Sequence, residues 1–200
     1  NKLFEGKIDN YIGGAYSKSL LLNSATASME IILKYLSVGE GDEVITTPYT
    51  YSATVNIIMH LGARPVLCDV KKYSFHIDPE KIRKAITKKT KAVISVDYGG
   101  WPVDYDEIKT VLDEKRRMFY PKKNTLQENF KSCIFLSDAA HSFGSEYKGF
   151  KIGSQSGFTA FSFHAVKNIT TAEGGALVIN LPDKKLTDKI YHDIKIYSLH

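Results

Sequence analysis

The sequence predicts an α/β fold with a largely parallel central sheet. Segments with helical spacing of apolar residues alternate with short β-rich runs along the chain. The run from Lys91 to Asp97 also has the dense apolar character of a strand that is covered on both faces. A chain of 200 residues has the size of one domain, or of a large domain within a longer enzyme.

The helices are predicted from apolar spacing and from the residues at their ends. They are Ser24–Leu36, Ser52–Leu61, a helix that opens at Asp78-Pro79, Asp104 to about Met118, and Asp183–His200. In the first helix Met29, Ile32 and Leu33 recur at helical spacing, and Ser24 or Thr26 can cap its start. Glycines follow the first two helices and are expected to end them.

The strands are predicted from short runs of β-branched, aromatic and other apolar residues. They are Glu43–Thr47, Arg64–Val70, Lys91–Asp97, Cys133–Ser137, Phe158–Phe163 and Ala176–Asn180. Residues 119 to 131 are polar and are predicted to form a surface insertion.

Composition and charge exclude several functional classes. The 27 Lys and Arg against 22 Asp and Glu give a net charge of +5, which suits anionic substrates but is too small and scattered for nucleic acid. No apolar stretch approaches the length of a membrane span. The six His and two Cys form no ligand-spaced cluster, so no metal site is predicted. Cys68 and Cys133 are expected to be buried reduced thiols, which fits a cytoplasmic protein.

One set of residues suggests covalent cofactor chemistry. Asp138 ends an apolar strand, Ser162 ends an aromatic strand, and Lys167 follows in the next loop. Pyridoxal phosphate (PLP) needs a lysine amine for its Schiff base and a carboxylate that holds its pyridine nitrogen protonated. It also needs hydroxyls and helix N-terminal amides for its phosphate. The spacing suggests such a site.

Each of these residues also has an ordinary structural explanation. A strand-end Asp often forms a turn, and a loop Lys is most often a solvated charge. Ser24-Ala25-Thr26 is first of all a helix cap, and Tyr51 and His141 are as easily packed side chains. From spacing alone both explanations remain open.

Five short blocks that occur together and in order carry a family resemblance. They are Asn-Ser-Ala-Thr-Ala at 23–27, Gly-Asp-Glu-Val-Ile at 41–45, Thr-Tyr-Ser-Ala-Thr at 50–54, Ser-Asp-Ala-Ala-His at 137–141, and the run from Phe161 to Gly175. With them the chain resembles the DegT/DnrJ/EryC1/StrS family of PLP-dependent sugar aminotransferases, within fold-type I. The resemblance covers nearly the whole chain and implies a sheet flanked by helices on both faces, an α/β/α sandwich.

The resemblance implies roles for three residues around the ring of PLP. Lys167 is implied to carry the cofactor covalently and later to move the proton between substrate and cofactor. Asp138 is implied to pair with the pyridine nitrogen, and Tyr51 to stack on the ring.

Four further residues are implied to contact the edges of the cofactor. Ser162 and the helix start at Ala25 and Thr26 are implied to hold the phosphate. Ala25 departs from the commoner Gly at its position, which the site tolerates if the backbone amide still points at the phosphate. His141 is implied to lie beside the cofactor, on the phenolic side of the ring.

The resemblance also implies an activity and an assembly. We expect transfer of an amino group from glutamate to a keto sugar attached to a nucleotide, for glycan, surface polysaccharide or antibiotic sugar biosynthesis. Residues 1–200 are expected to be the PLP-binding large domain, with a smaller C-terminal domain beyond His200 and a homodimer in the full-length enzyme.

Three alternatives are less favoured by the residues. Sugar dehydratases of the same family carry His in place of the Schiff-base lysine, so Lys167 argues against them. A non-catalytic PLP-binding relative is favoured by the chain length but disfavoured by the Asp138 and Lys167 pair. A plain nucleotide-binding module is disfavoured because no Gly-x-Gly-x-x-Gly follows the first strand.

Overall fold

The structure is a computed structural model that describes residues 1–198. Its α-helices are α1 (Lys2–Ile12), α2 (Ala25–Tyr35), α3 (Ser52–His60), α4 (Pro79–Ala85), α5 (Tyr105–Glu114) and α6 (Lys184–Tyr197). Its strands are β1 (Lys18–Leu22), β2 (Glu43–Thr46), β3 (Arg64–Leu67), β4 (Thr90–Val96), β5 (Ile134–Asp138), β6 (Glu146–Tyr147), β7 (Phe150–Lys151), β8 (Phe158–Ser162) and β9 (Gly175–Ile179). The predicted end of the last helix, His200, lies outside the described residues.

Seven of the strands form one mixed sheet in the order β1-β9-β8-β5-β4-β2-β3. The five strands β8, β5, β4, β2 and β3 run parallel, which confirms the prediction of a largely parallel sheet. β9 runs antiparallel to both β8 and β1. The carboxyl ends of the parallel strands therefore share an edge with the start of β9 and the end of β1. We call it the carboxyl edge, and the opposite edge the amino edge.

Helices cover both faces of this sheet and bury a separate apolar cluster on each. One cluster joins α2, α3 and α6 to the sheet through residues such as Ile32, Ile57 and Ile190. The other joins α1, α4 and α5 to the opposite face through Ile8, Ile82 and Ile108. All residues of β4, β5, β8 and β9 are buried, because both of their faces are covered. The α/β/α sandwich implied by the resemblance is confirmed.

Short-range capping sets most of the predicted helix starts. Ser24 Oγ accepts the Ala27 N–H at 3.0 Å, and side chains of Asp78, Asp104 and Asp183 cap α4, α5 and α6 in the same way. The helix predicted from Asp104 to Met118 ends at Glu114, and residues 116–118 form a separate 3₁₀ turn.

Four helices or strands of the structure, α1, β1, β6 and β7, were not predicted from sequence patterns. Helix α1 packs on β1, β1 pairs with β9, and β6 with β7 forms a short hairpin. The insertion at 119–131 lies mostly on the surface as predicted, but Phe119 and Gln127 are buried and anchor it. Gln127 Nε2 donates to Leu36 O at 2.8 Å, so the segment closes the end of α2.

The cysteine prediction holds, since Cys68 and Cys133 are both unpaired and buried. Within residues 1–198, no helix has the length and apolar character needed to cross a bilayer.

Candidate active site

A pocket of 460 Å³ opens at the carboxyl edge of the sheet. It is bounded by the ends of β5 and β8, the starts of α2 and α3, and the loop between β8 and β9. All seven residues singled out from the sequence line it: Ala25, Thr26, Tyr51, Asp138, His141, Ser162 and Lys167. Ligands of α/β proteins bind at this edge, because strand ends and helix starts converge there.

Asp138 is the last residue of β5 and is buried in the floor of the pocket. Its Oδ2 accepts from Thr54 Oγ1 at 2.8 Å, and its Oδ1 accepts the Ala140 N–H at 3.3 Å. Burial raises the pKa of Asp138; the bonds from Thr54 and Ala140 and the nearby His141 and Lys167 partly offset this rise. Its carboxylate makes no salt bridge to any described residue.

Lys167 lies on the loop that connects β8 to β9 and faces the same pocket. Backbone bonds close this loop, since Phe163 N donates to Gly174 O at 2.8 Å and Thr171 N donates to Phe163 O at 2.9 Å. Lys167 N donates to His164 O at 3.0 Å, which places the lysine on a tight turn. The lysine therefore lies on a hydrogen-bonded turn of the loop that lines the same pocket as Asp138.

The start of α2 forms another wall of the pocket. The N–H groups of Ala25 and Thr26 lie in its first turn, where backbone N–H groups have no carbonyl partner within the helix. Gly175 packs so tightly against this turn that a Cβ on it would lie 2.3 Å from Ser24 C and 2.6 Å from Ala25 N. Ser162, at the end of the neighbouring strand, lines the pocket with this turn. Free amides and the positive end of a helix dipole make this corner suited to an anion.

Tyr51 and His141 stand at the mouth of the pocket. Tyr51 directly precedes α3 and is 80% exposed, so its ring face is free to cover a planar ligand. Burial and the charge of Lys167 lower the pKa of His141, while Asp138 opposes the shift. The lowered pKa favours the neutral form of the imidazole at pH 7.

The structure adds residues that sequence reasoning did not select. Thr54 bonds Asp138 and is itself 2.7 Å from Thr50 Oγ1. Asp97 follows β4 directly, is 1% exposed, and also lines the pocket. The strand-end rule that selected Asp138 applies equally to Asp97, so that signal was present in the sequence.

The chemistry of the donor set fits PLP. A buried carboxylate that forms no salt bridge with the described residues suits a protonated ring nitrogen, a lysine lines the same pocket, and a helix start has amides that suit a phosphate. The described residues contain no group of three or more His, Cys, Asp or Glu side chains that could hold a metal ion.

Sequence comparisons identify relatives over nearly the whole chain. The sequence model of the DegT/DnrJ/EryC1/StrS aminotransferase family matches residues 1–120 and 125–196. The four residues between these ranges lie in the insertion at 119–131. An uncharacterized protein of Methanocaldococcus jannaschii is 41% identical over 98% of this chain and 45% of its own length. The spore coat polysaccharide biosynthesis protein SpsC of Bacillus subtilis is 39% identical over 98% of this chain and 44% of its own length. The chain thus spans less than half the length of these two relatives.

Solved structures of sugar aminotransferases share the fold. A putative sugar aminotransferase from Streptococcus pneumoniae, in its PLP form, is 42% identical with a TM-score of 0.95 and covers 100% of this chain and 50% of that protein. PseC of Helicobacter pylori, an aminotransferase involved in the biosynthesis of pseudoaminic acid, is 35% identical with a TM-score of 0.76 and covers 94% of this chain and 46% of its own.

Proposed function

Because the chain belongs to the DegT/DnrJ/EryC1/StrS aminotransferase family, we propose that it provides the cofactor-binding part of a PLP-dependent sugar aminotransferase. The observation that carries this proposal is the pocket that Asp138 and Lys167 line together with the start of α2. The intact Lys167 favours amino transfer over sugar dehydration, because the dehydratases of the resemblance carry His at this position.

Lys167 and Asp138 have the central roles in this proposal. PLP, when bound, supplies an electron sink for negative charge that develops on the substrate carbon next to the amine. Lys167 Nζ would hold the cofactor covalently at rest, and its amine, once freed, would move the proton of that carbon. Asp138 would keep the pyridine nitrogen protonated, and that cation would offset the cost of burying the carboxylate.

The remaining residues orient the cofactor. The amides of Ala25 and Thr26 and the hydroxyl of Ser162 are suited to hold the phosphate, since all three line the same corner. Tyr51, which is exposed and lines the pocket, is suited to cover one ring face. His141, whose lowered pKa favours the neutral form at pH 7, is suited to contact the phenolic side without adding charge.

We further propose that glutamate is the amino donor and that a nucleotide-linked keto sugar is the acceptor. The net charge of +5 suits an anionic acceptor. Relatives that act in spore coat polysaccharide and pseudoaminic acid biosynthesis support a sugar substrate. The product would then feed glycan, surface polysaccharide or antibiotic sugar assembly.

The proposed enzyme is longer than this chain and works as a homodimer in the cytoplasm. Residues 1–200 would be its large domain, with a smaller domain after it, as the length of the relatives supports. The exposed Tyr51 and Tyr98 at the pocket mouth suit a site that a second subunit completes. The buried free thiols suit a reducing compartment. Light scattering of the full-length protein measures the assembly directly.

An absorbance spectrum with and without borohydride tests the function. We expect a yellow band on addition of PLP, bleaching on reduction, and a phosphopyridoxyl mass on the peptide that contains Lys167. L-glutamate should convert the unreduced cofactor to its amine form. A protein that gains no band, or that carries the label on another lysine, would contradict the proposal.

A further inference from the structure

A second buried carboxylate, Asp97, lies beside Asp138 and has no part in the roles described so far. Asp97 follows the last residue of β4, and Val96 is paired with Asp138 of β5. The two carboxylates therefore occupy neighbouring strand ends and line the same pocket. A buried Asp needs full hydrogen bonding, and the origin of its donors indicates what it holds together.

The donors to Asp97 come from two separate segments. Its Oδ1 accepts the Val103 N–H at 3.0 Å, and its Oδ2 accepts the Tyr105 hydroxyl at 2.8 Å. Both donors belong to the segment after β4. Its Oδ2 also accepts Ser142 Oγ at 2.8 Å, from the turn after β5. One side chain thus joins the loop after β4 to the turn that carries His141.

Backbone contacts join the same two segments. Asp97 N donates to Asp138 O at 3.1 Å, and Ser145 Oγ donates to Gly100 O at 2.7 Å. Gly100 has φ of +85° and lies so close to the turn that a Cβ on it would be 2.8 Å from His141 O. The loop and the turn are therefore in direct contact, and a shift of the loop moves the turn.

We propose that Asp97 is a positioning residue of the pocket, which ties the loop at 97–103 to the turn at 139–142 and so fixes Asp138 and His141. The chain of contacts is continuous. Ser142, held by Asp97, donates its own N–H to Ala139 O at 3.0 Å, and Ala140 N donates to Asp138 Oδ1 at 3.3 Å. This inference deepens the proposed function and rests on it, since the geometry matters through what Asp138 and His141 hold.

The electrostatics agree with this geometry. Burial raises the pKa of Asp97 to about 6, against the bonds from Val103, Tyr105 and Ser142, and the charge of Asp138 adds to the rise. None of the described residues forms a salt bridge with Asp97, so the three hydrogen bonds from Val103, Tyr105 and Ser142 are what hold this buried carboxylate in place.

The test compares Asp97→Asn with Asp104→Asn in the full-length protein. Asp104 is on the same loop, but it caps α5 and bonds Tyr147 outside the pocket. We expect Asp97→Asn to weaken PLP binding to the apo-protein and to lower kcat by about 10- to 100-fold, with KM for the amino donor changed far less. Asp104→Asn should lower the melting temperature and leave PLP binding and kcat unchanged.

A readout that needs no cofactor separates this inference from the proposed function. The imidazole resonance of His141, assigned with His141→Gln, should shift in Asp97→Asn and not in Asp104→Asn. If Asp97→Asn does not fold, Ser142→Ala removes one of the three bonds and should shift the same resonance less. An unmoved His141 resonance, with PLP affinity and kcat within twofold of the wild type, would overturn the role of Asp97. Failure of the wild type to bind PLP would contradict the proposed function instead.

Discussion

Two pairs of buried carboxylates lie at opposite edges of the sheet and are stabilised differently. At the amino edge, Glu43 lies 2.5 Å from Arg64 and accepts from Thr87 Oγ1 at 2.7 Å. Its neighbour Asp42 lies 2.8 Å from Lys122. At the carboxyl edge, Asp97 and Asp138 are bonded only to hydroxyl and amide donors of the described residues.

The pKa values separate the two edges in the same way. Burial alone would raise the pKa of Glu43, but the bonds from Arg64 and Thr87 outweigh it and hold that pKa below its usual range. Burial raises the pKa values of both Asp97 and Asp138, and their hydrogen bonds do not overcome it. The charge of a buried carboxylate at the amino edge is already balanced by a side chain of the protein. A buried carboxylate that lacks such a partner can instead pair with a positive charge on a ligand.

Replacing one lysine at each edge by alanine gives the largest expected effect. Lys167→Ala should reduce the rate of amino transfer by about 100- to 10,000-fold through loss of the proton-moving amine, and loss of the covalent link should reduce it further. Its melting temperature should stay near that of the wild type, since Lys167 packs in no core cluster. Lys122→Ala should lower the melting temperature and leave the rate of amino transfer unchanged, because it removes the salt-bridge partner of Asp42 and a hydrogen bond to Ser37 O.

Steady-state rates and thermal melts of the two lysine variants measure this contrast. Borohydride should fix PLP to Lys122→Ala and not to Lys167→Ala. Retention of most activity by Lys167→Ala would mean that the amino-transfer role belongs to another lysine.

The pH dependence of stability should have opposite signs at the two edges. The pKa of Asp97 in the folded chain is about 6 against 3.8 for an unperturbed carboxyl, so its stabilising contribution is complete below pH 3.8 and is lost as pH rises through 6. That loss is about 3 kcal/mol. The pKa of Glu43 is lowered, so its contribution is present above pH 4.5 and is lost as pH falls through the folded value.

Denaturant unfolding between pH 4 and 8 measures these contributions as differences from the wild type. Asp97→Asn should gain relative stability as pH rises from 4 to 6, and an extension of the series to about pH 3 should show Glu43→Gln losing relative stability as pH rises to 4.5. Parallel curves for the two variants would show that the carboxylates of both edges are neutralised alike.

A methyl group on Gly175 tests the packing against the start of α2. Gly175→Ala places a Cβ 2.3 Å from Ser24 C, so either β9 or the start of α2 must move. We expect a loss of about 1–3 kcal/mol in unfolding free energy and weaker binding of PLP. Gly6→Ala is the matched control, because nothing lies within 4 Å of its added Cβ. If the two variants bind PLP equally, the start of α2 does not hold the phosphate.

The smallest effect is expected from the insertion at the amino edge. Gln127→Ala removes the amide that bonds Leu36 O and should cost about 1–2 kcal/mol of stability. Amino transfer should not change, since the residue lies outside the pocket. Asn129→Ala serves as the control, because its amide bonds only Leu126 O on the exposed side of the segment. A fall in activity without a fall in stability would connect the insertion to the site.

Much of the fold could be predicted from the sequence because its signals are local. Apolar runs located β4, β5, β8 and β9, and caps such as Ser24 marked helix starts. Strand β1 escaped prediction because its evidence is distant: Lys18 pairs with Ile179 at the other end of the chain. Helix α1 mixes apolar residues with Lys, Glu, Asp and Asn, and it packs against β1 and β7, of which β7 is distant in the sequence.

The candidate site likewise has features that the local sequence indicates and features that depend on contacts between distant residues. Sequence blocks selected Lys167, Asp138 and the start of α2, because residue type and position along an element carry that information. Which carboxylates would be buried without a cation was decided only by the tertiary structure. Thr54 reaches Asp138 across 84 positions and Ser142 reaches Asp97 across 45. Desolvation and hydrogen bonding depend on such distant neighbours, so the raised pKa values of this edge arise only when the chain is folded.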